Sequence, residues 1–580
     1  MDTYCAPIAA MMHALRTVGI EELLALPAYK DLDLDSIREV LGGFAQLAEE
    51  KIAPTDSIGD RVGAALDRVT GGVSVPGEFR TALAAYIDGG WLGVSAPAEH
   101  GGGGFPSAVG LAVHEMFGSA NMSLSLNPML TQSAIELLQR WGDERQQSVV
   151  LPRLIDGTWS GTMNLTEADS GSDLGMVRTQ AVERDDGTFL INGTKIFITW
   201  GEHDLVDNIV HLVLARTPGA DVGTRGLSLF LVPRSIIGAD GRLGERNGVH
   251  CRALEHKLGI HASPTCVLEF VDAVGELVGP LHGGMVGMFS MMNPARLAVG
   301  VQGVSIAERA FQQAFEYAQQ RQQGHTANGP AVLLDHPDVQ RMLLDIASTR
   351  DAMRLLTFAT SIAGDLARHH PDAEVRECHQ RRVDLLTPLA KAWPTDQGVR
   401  LASLALQVFG GAGFIEESGI AQRYRDAKIT TIYEGTNGIQ AIDLIARKLA
   451  SDDGAALEVL LREIDGTIEK ATQDLELHTV ASQLAASVAD TRAATSWVLE
   501  QLPRDRDAVL GGACAYLELV AVTCAGDLMV RRAMLAKASS PSEATRALRR
   551  CEFFAVQHLQ QRPTFGAVSV GTIALRAGLD

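Results

Sequence analysis

The stretch around Glu434 offers the clearest candidate for acid–base chemistry in the sequence. Residues 432–436 read Ile-Tyr-Glu-Gly-Thr, and apolar residues at helical spacing follow from 438 to 450. Thr436 or Asn437 provides an N-cap, so we expect a helix to begin just after Glu434. Two interpretations are open at this point. The carboxylate either occupies a helix entrance, where the helix dipole favours an anion, or is desolvated by its apolar neighbours and acts as a general base.

A second polar stretch, residues 162–173, reads Thr-Met-Asn-Leu-Thr-Glu-Ala-Asp-Ser-Gly-Ser-Asp. It predicts a strand that runs into a small turn whose amides and hydroxyls hold a polar or phosphorylated ligand, or else a plain solvated turn. A calcium loop starting at Glu167 needs Gly at its sixth position and Glu at its twelfth. Ser172 and Arg178 stand there instead, so we exclude that loop.

The elements that must position these stretches change type along the chain. Up to about residue 155, apolar residues recur every three or four positions and predict helices. Between about 158 and 285, short apolar runs predict strands, at 189–192, 196–199, 209–215, 227–232 and 266–271. The Asn-Gly pair at 192–193 is interpreted as a tight turn between the first two strands. No helix-length segment separates the runs, so a doubly wound nucleotide-binding fold is not expected.

Helices are predicted again from Gly284 to about residue 450. Pro394 and the glycines of 410–413 are expected to interrupt them. The rest of the chain is rich in Ala and Leu and predicts further helices. The nearly apolar segment 508–526 carries Glu518 near its centre, so we interpret it as a buried helix rather than a membrane span.

Composition limits the classes of function. The chain has 580 residues, is 46% hydrophobic and carries a net charge of −20, which fits a soluble globular protein and disfavours nucleic acid as a partner. Seven cysteines without a CxxC pair indicate reduced thiols and a cytoplasmic protein, and no signal peptide is recognised in residues 1–30. No metal site is expected, because three neighbouring histidines lack the spacing of a helical metal pair: His250, His256 and His261.

Taken together, these stretches resemble the acyl-CoA dehydrogenase family over about residues 35–450. The motifs that carry the resemblance occur in the family's order: 163–167, 171–173, 191–199, 257–260 with Ser263 and Thr265, Arg296, Arg321, Gln407 with 409–411, 425–427 and 432–436. Further features resemble the long-form branch that includes 3-methylmercaptopropionyl-CoA dehydrogenases and broad-range bacterial fatty acyl-CoA dehydrogenases. They are residues 4–7, 291–293, 295–297 and 336–339, together with the C-terminal helices.

The resemblance implies a mainly α protein with a central β domain: an N-terminal helical domain, a β-barrel-like domain and a four-helix bundle, followed here by a helical extension. We expect these four domains at residues 1–157, 158–285, 286–450 and 451–580. The family binds FAD between the β domain and the bundle. The arginine at 321 is followed by Gln-Gln-Gly-His, where family members commonly have an aromatic residue and Gly.

Cofactor-binding residues follow from the resemblance by position. Those implied at the isoalloxazine are Met163, Leu165, Thr166, Phe197 and Thr199. Those implied at the pyrophosphate are Gly171 and Ser172, and those where a helix N-terminus meets the cofactor are Thr436 and Gly438. Those implied to reach the adenosine half from a neighbouring subunit are Arg321, Gln323, Gln407 and Gly411, which implies at least a homodimer. Those implied to bind the substrate are Ser172, Arg296 and Gly435.

Glu434 falls on the family's catalytic base. A few members carry the base on an earlier helix, but Ala295 occupies that position here and cannot take a proton. The resemblance therefore implies that Glu434 removes the α-proton of an acyl-CoA while the β-hydride passes to flavin N5, giving a trans-2-enoyl-CoA. Electron-transfer flavoprotein is the expected electron acceptor. The alternatives are a flavin oxidase or monooxygenase of the same fold and a non-enzymatic flavoprotein that binds DNA through its C-terminal extension.

Overall fold

A computed structural model describes residues 3–327, 329–539, 541–573 and 579, and it is mainly helical around a central sheet. The helices are α1 Ile8–Thr17, α2 Ile20–Leu24, α3 Leu34–Leu47, α4 Asp56–Val62, α5 Gly77–Asp88, α6 Ser107–Ala120, α7 Met122–Trp141, α8 Leu151–Ile155, α9 Gly284–Gln320, α10 Pro337–His369, α11 Ala373–Phe409, α12 Ile420–Ala427, α13 Asn437–Asp443, α14 Ala455–Thr472, α15 His478–Gln501, α16 Arg506–Gly511, α17 Ala513–Ser539, α18 Pro541–Phe554 and α19 Phe565–Val568.

The strands lie mostly between α8 and α9. They are β1 Ala65–Leu66, β2 Val73–Ser74, β3 Trp159–Asn164, β4 Gln180–Glu183, β5 Phe189–Thr199, β6 Asn208–Arg216, β7 Leu227–Pro233, β8 Ser235–Ile237, β9 Leu243–Arg246, β10 Val249–Leu254, β11 Thr265–Val278, β12 Gln322–Thr326 and β13 Gly329–Val332. Contacts divide the chain into two compact units. We call Met1–Gly42, Pro106–Glu115 and Arg296–Asp580 the helical unit, and Gly43–Phe105 with Met116–Ala295 the sheet unit.

The large sheet of the sheet unit closes on itself, as the β-barrel-like prediction requires. Strands β11, β5, β4, β6 and β7 pair in sequence, and β7 pairs back onto β11, while β10 and β3 add to the outside of this ring. Apolar side chains from its strands pack inside, among them Ile191, Val213, Phe230 and Phe270. The predicted fold class is therefore confirmed, including the helical segment after the bundle.

The turn predicted at Asn192-Gly193 is wrong, because β5 runs straight through it. Asn192 pairs by its side chain with Asp272 on β11, donating from Nδ2 to Oδ1 at 2.9 Å and accepting the Asp272 amide at 2.9 Å. A Cβ at Gly193 would lie 2.5 Å from the Thr179 hydroxyl. The glycine thus serves a close approach of two backbones and not a reversal of the chain.

Pro394 does not interrupt its helix either; it lies inside α11. Proline lacks an N–H, so the Ala390 carbonyl four residues earlier loses its usual helical donor. Helix α9 approaches this part of α11 very closely, because a Cβ at Gly300 would lie 1.9 Å from the Ala390 oxygen and one at Gly303 would lie 2.3 Å from the Pro394 oxygen. Helix α11 thus continues through the proline at the place where α9 packs closely against it.

The C-terminal helices pack on the long helices of the helical unit, with α17 and α18 against α10 and α14 against α11. Buried Asp351 of α10 joins them: it pairs with Arg532 of α17 and, at 2.6 Å, with Arg550 of α18. Burial alone would raise the pKa of Asp351, but these arginines together with Arg350 and Arg354 hold it well below its usual value. Helix α17 is long and apolar enough to cross a bilayer, yet 83% of its most apolar window is buried in the protein.

Candidate active site

The backbone at Glu434 forms an unusual turn in the helical unit. Glu434 and Gly435 both have left-handed backbone angles, with φ of 55° and 83°, between a short turn at Lys428–Thr431 and helix α13. For a glutamate this conformation is strained by about 1–2 kcal/mol. Thr436 caps α13, its hydroxyl accepting from the Ile439 amide at 3.2 Å, as predicted from the sequence. Strain at a polar loop residue is typical of functional sites.

Three side chains from three helices hold the turn by its carbonyl groups. Arg296 of α9 donates from Nε to the backbone carbonyl oxygen of Glu434 at 3.4 Å. Gln440 of α13 donates to the same carbonyl oxygen at 3.1 Å. Lys391 of α11 donates from Nζ to the Gly435 oxygen at 2.9 Å. The strained turn is therefore fixed by the surrounding helices, which is the condition for such a conformation to persist.

The Glu434 carboxylate itself is left unengaged. Among the residues that the structure describes, none donates a hydrogen bond to it. Burial raises its pKa above the ordinary value, while the charges of Arg296 and Lys391 pull the other way. An unpaired carboxylate with a raised pKa is a stronger proton acceptor than an exposed glutamate, so the geometry suits a general base.

The two cations beside Glu434 are both buried. Arg296, 5% exposed, also faces Asp443 of α13 at 3.5 Å. Lys391 is fully buried, and burial lowers its pKa to about 7, with nearby Glu434 and Asp396 opposing that shift. Two opposing influences therefore act on Glu434. Burial favours the protonated carboxyl, and the positive charges of Arg296 and Lys391 favour the ionised carboxylate.

In the sheet unit, β3 and β5 bring the implied isoalloxazine residues together. The Ile196 amide donates to the Thr166 oxygen at 2.9 Å, and Lys195 Nζ donates to the Leu165 oxygen at 2.9 Å. Phe197 follows directly, with a left-handed φ of 61°, and the residue is 58% exposed. Met163 is nearly buried, and Thr199 is half-buried. The two strands therefore present an exposed aromatic ring beside apolar and hydroxyl side chains.

The polar turn after β3 is built around Glu167. Its carboxylate accepts hydrogen bonds from the Arg178 amide at 2.7 Å and the Thr179 hydroxyl at 2.6 Å, and it pairs with buried Lys195 at 2.9 Å. These bonds occupy the carboxylate, so Glu167 braces the turn. Gly171 and Ser172 lie exposed on its surface.

The four residues implied at the adenosine half are exposed and lie far from the turn at Glu434. Arg321 follows Arg296 by 25 positions along and just beyond α9, which at 1.5 Å per residue is about 37 Å. Gln407 follows Lys391 on α11 by about 24 Å on the same basis. The Tyr317 and Phe409 rings stack at 4.1 Å and bring the ends of these helices together. Gln323 and Gly411 are exposed near these ends.

Three residues that hold the turn were not predicted from the sequence. They are Lys391, Gln440, and Asn437 as the hydrogen-bond partner of Lys391. Asn437 and Gln440 give no signal, because amides are common near helix starts. Lys391 does give one. It is the single charge in the apolar run 385–393, and a lysine is almost never fully buried without a reason.

Family models match most of the chain. The N-terminal, middle and C-terminal domains of acyl-CoA dehydrogenase match residues 40–158, 162–273 and 282–450. A domain described as acetyl-CoA dehydrogenase C-terminal like matches residues 460–564. The matches thus extend beyond the bundle into the C-terminal helices.

Known proteins agree with these matches. The chain is 45% identical over 545 residues to 3-methylmercaptopropionyl-CoA dehydrogenase of Ruegeria pomeroyi, covering 92% of each chain. It is 34% identical to the broad-specificity linear acyl-CoA dehydrogenase FadE5 of Mycobacterium tuberculosis, covering 92% of this chain and 90% of that one. In fold it matches an acyl-CoA dehydrogenase of Bacillus anthracis complexed with FAD, with a TM-score of 0.76, 20% identity and coverage of 96% and 90%. The chain belongs to the acyl-CoA dehydrogenase family of oxidoreductases, in the branch with an additional C-terminal helical segment.

Proposed function

We propose that this protein oxidises an acyl-CoA thioester to the trans-2-enoyl-CoA, with Glu434 removing the α-proton. The observation that carries the proposal is the turn itself: a strained glutamate whose backbone is fixed by three side chains while its carboxylate stays unpaired. A proton that arrives on this carboxylate neutralises a charge that burial disfavours, so the transfer is helped by the surroundings. The charge of Arg296, also implied at the substrate, opposes the rise that burial causes in the pKa of Glu434 and favours the ionised form that accepts the proton.

We propose FAD as the cofactor, and the residues present fit it. An isoalloxazine is planar and largely apolar with a polar edge, and the sheet unit presents an exposed Phe197 ring next to Leu165, Thr166 and Thr199. Phe197 has a left-handed backbone and is exposed rather than part of the barrel core. Bound there, FAD supplies the hydride acceptor for the substrate β-carbon. By the resemblance we assign Gly171 and Ser172 to its pyrophosphate, and we keep Thr436 and Gly438 as further cofactor-binding residues.

We propose that the working protein is a homodimer. Of the exposed residues implied for the adenosine half, Arg321 lies about 37 Å along the helix direction from Arg296, and Gln407 lies about 24 Å along α11 from Lys391, so they suit a partner's cofactor and not their own. Size-exclusion chromatography with light scattering tests this. We further propose electron-transfer flavoprotein as the electron acceptor, the cytoplasm as the location, and residues 1–157, 158–285, 286–450 and 451–580 as the domains.

The experiment is an anaerobic titration of the purified protein with acyl-CoAs of graded length, including a short thioether acyl-CoA like that named for the Ruegeria relative. We expect a flavin absorption band that bleaches with one class of acyl-CoA. In Glu434→Gln we expect the band without the bleaching. No bound flavin, or equal bleaching in the variant, contradicts the proposal. Hydrogen peroxide released at the rate of turnover in air indicates an oxidase instead.

A further inference from the structure

We propose that Lys391, oriented by Asn437, is a positioning residue that fixes the left-handed turn under Glu434 and places a positive charge beside the base. The inference rests on the proposed role of Glu434 and assigns to α11 a part in catalysis that the sequence motifs do not contain. Lys391 acts through the turn and is not itself the proton acceptor.

The first observation is the nature of the partners of Lys391. Its side chain is fully buried, and its ammonium donates to two neutral oxygens, the Gly435 carbonyl at 2.9 Å and Asn437 Oδ1 at 2.8 Å. Among the described residues, no carboxylate forms an ion pair with it. A methionine of similar shape would avoid the cost of desolvating an ammonium. A buried lysine without a paired carboxylate therefore lowers the stability of the fold, and its presence at this position is better explained by a role in function.

The second observation is that the Asn437 side-chain amide cannot rotate by 180° to break its hydrogen bond with Lys391. Asn437 Nδ2 donates to the Ala392 carbonyl at 3.1 Å and to Asp396 Oδ1 at 2.8 Å. Exchange of the amide nitrogen and oxygen would set the NH₂ against the ammonium and the oxygen against two acceptors. The side chain is held in one orientation, and it links the first residue of α13 to α11.

The third observation is the rigidity of the helix that carries Lys391. The close approach of Gly300 and Gly303 leaves no room between α9 and α11 at Ala390 and Pro394. The Thr395 hydroxyl donates to the Lys391 carbonyl at 2.9 Å, within the part of α11 that contains the proline. Lys391 therefore reaches the turn from a fixed backbone, as a positioning residue must.

The charges around the pair define what a test would see. Lys391 faces Glu434 from the turn, Asp396 from α11 and Arg296 from α9. Glu434 faces Arg296 and Lys391, and the Tyr433 hydroxyl next to it is bonded to Gln302. Asp396 is itself influenced by Lys428 and lies near Glu518 of α17. Of these groups, Lys391 has its pKa at about 7, where an enzyme is readily assayed.

The assay is exchange of substrate α-hydrogens with deuterium oxide, followed by NMR without oxygen, because it reports the base separately from hydride transfer. We expect Lys391→Met to lower the plateau rate at least about 10-fold through misplacement of the base. Loss of the nearby positive charge should also raise the pKa of Glu434, so the pH at which the rate is half-maximal on the acid side should rise by about one unit. The wild-type inflection near pH 7 should disappear.

Lys470→Met, which removes an exposed lysine at the end of α14, is the matched control and should keep the wild-type profile. Asn437→Asp is the second variant, in case Lys391→Met does not fold. One carboxylate oxygen meets the ammonium and should move the inflection near pH 7 upward by about one unit or more. The other oxygen replaces the amide donor to Asp396, whose pKa burial already raises, so we expect Asp396 to take up a proton in this variant.

Two results would overturn the inference: a folded Lys391→Met with wild-type rate and profile, or an Asn437→Asp whose profile is unmoved. Glu434→Gln, measured alongside, separates the inference from its premise. If that variant still exchanges, the proposed function fails. If it does not exchange while Lys391→Met is normal, only the role of Lys391 fails.

Discussion

Replacement of Asp351 by asparagine should destabilise the helical unit strongly. Asp351 is 2% exposed and meets Arg532 of α17, Arg550 of α18 at 2.6 Å and Arg350 at 3.0 Å. The substitution leaves buried guanidinium groups without their shared anion. Breaking a buried ion pair by removing one partner costs about 3–5 kcal/mol. With a urea slope of about 3 kcal/mol per molar, the unfolding midpoint should fall by about 1–1.7 M.

Urea unfolding followed by circular dichroism measures this effect. The control is Asp490→Asn, which removes the partner of Arg562 at a pair half open to solvent and should cost at most about 1 kcal/mol.

The stabilisation that Asp351 provides should depend on pH in a predictable direction. Since the pKa of Asp351 is lowered on folding, its stabilisation is present above its unfolded pKa of about 4 and is lost as pH falls through the folded value. The difference between the urea midpoints of Asp351→Asn and wild type should therefore become smaller below pH 4. Equal midpoints for the Asp351 variant and wild type at pH 7 would refute this account of how the extension is held.

Three further outcomes are expected. Gly435→Ala places a Cβ 2.9 Å from Gln440 Nε2 at a residue whose φ is 83°. We expect turnover to fall at least about 10-fold with little loss of secondary structure. Unchanged kinetics would contradict the described turn. Gly193→Ala forces a Cβ to within 2.5 Å of Thr179, so the melting temperature should drop by several degrees, and a neutral result would show that the strands can separate there. Because the pKa of Glu434 is raised, folding stability falls as pH rises from its unfolded pKa through its folded one. Glu434→Gln should therefore be at least as stable as wild type at pH 7 in thermal unfolding, and a clear loss of stability would argue that the carboxylate is structural.

Local patterns predicted the elements, whereas long-range contacts decided the exceptions. The cap at Thr436 followed from residue types, because capping involves neighbours in sequence. The Asn-Gly pair at 192–193 was misread, because its use depends on Thr179 and Asp272, which are distant in sequence. Pro394 was misread for the same reason, since the approach of Gly303 from another helix is invisible along the chain. The closed barrel required the resemblance, because periodicity alone does not give strand order.

The candidate site divides in the same way. Glu434 and its apolar neighbours were visible, and burial indeed raises the pKa of that carboxyl. The left-handed turn and its three donors were not visible, because Arg296, Lys391 and Gln440 come from three helices that only the fold brings together. The assignments to cofactor and substrate stay predictions, carried by family membership.

The most direct test of the central claim is the rate at which Glu434→Gln exchanges substrate α-hydrogens with deuterium oxide at neutral pH. Glutamine keeps the size of the side chain and removes the proton acceptor. General-base catalysis contributes about 10²–10⁴-fold, so the account predicts a rate at least about 100-fold below wild type, in a protein that remains folded. A variant that exchanges at the wild-type rate would show that another group takes the proton, and the role assigned to the turn would be wrong.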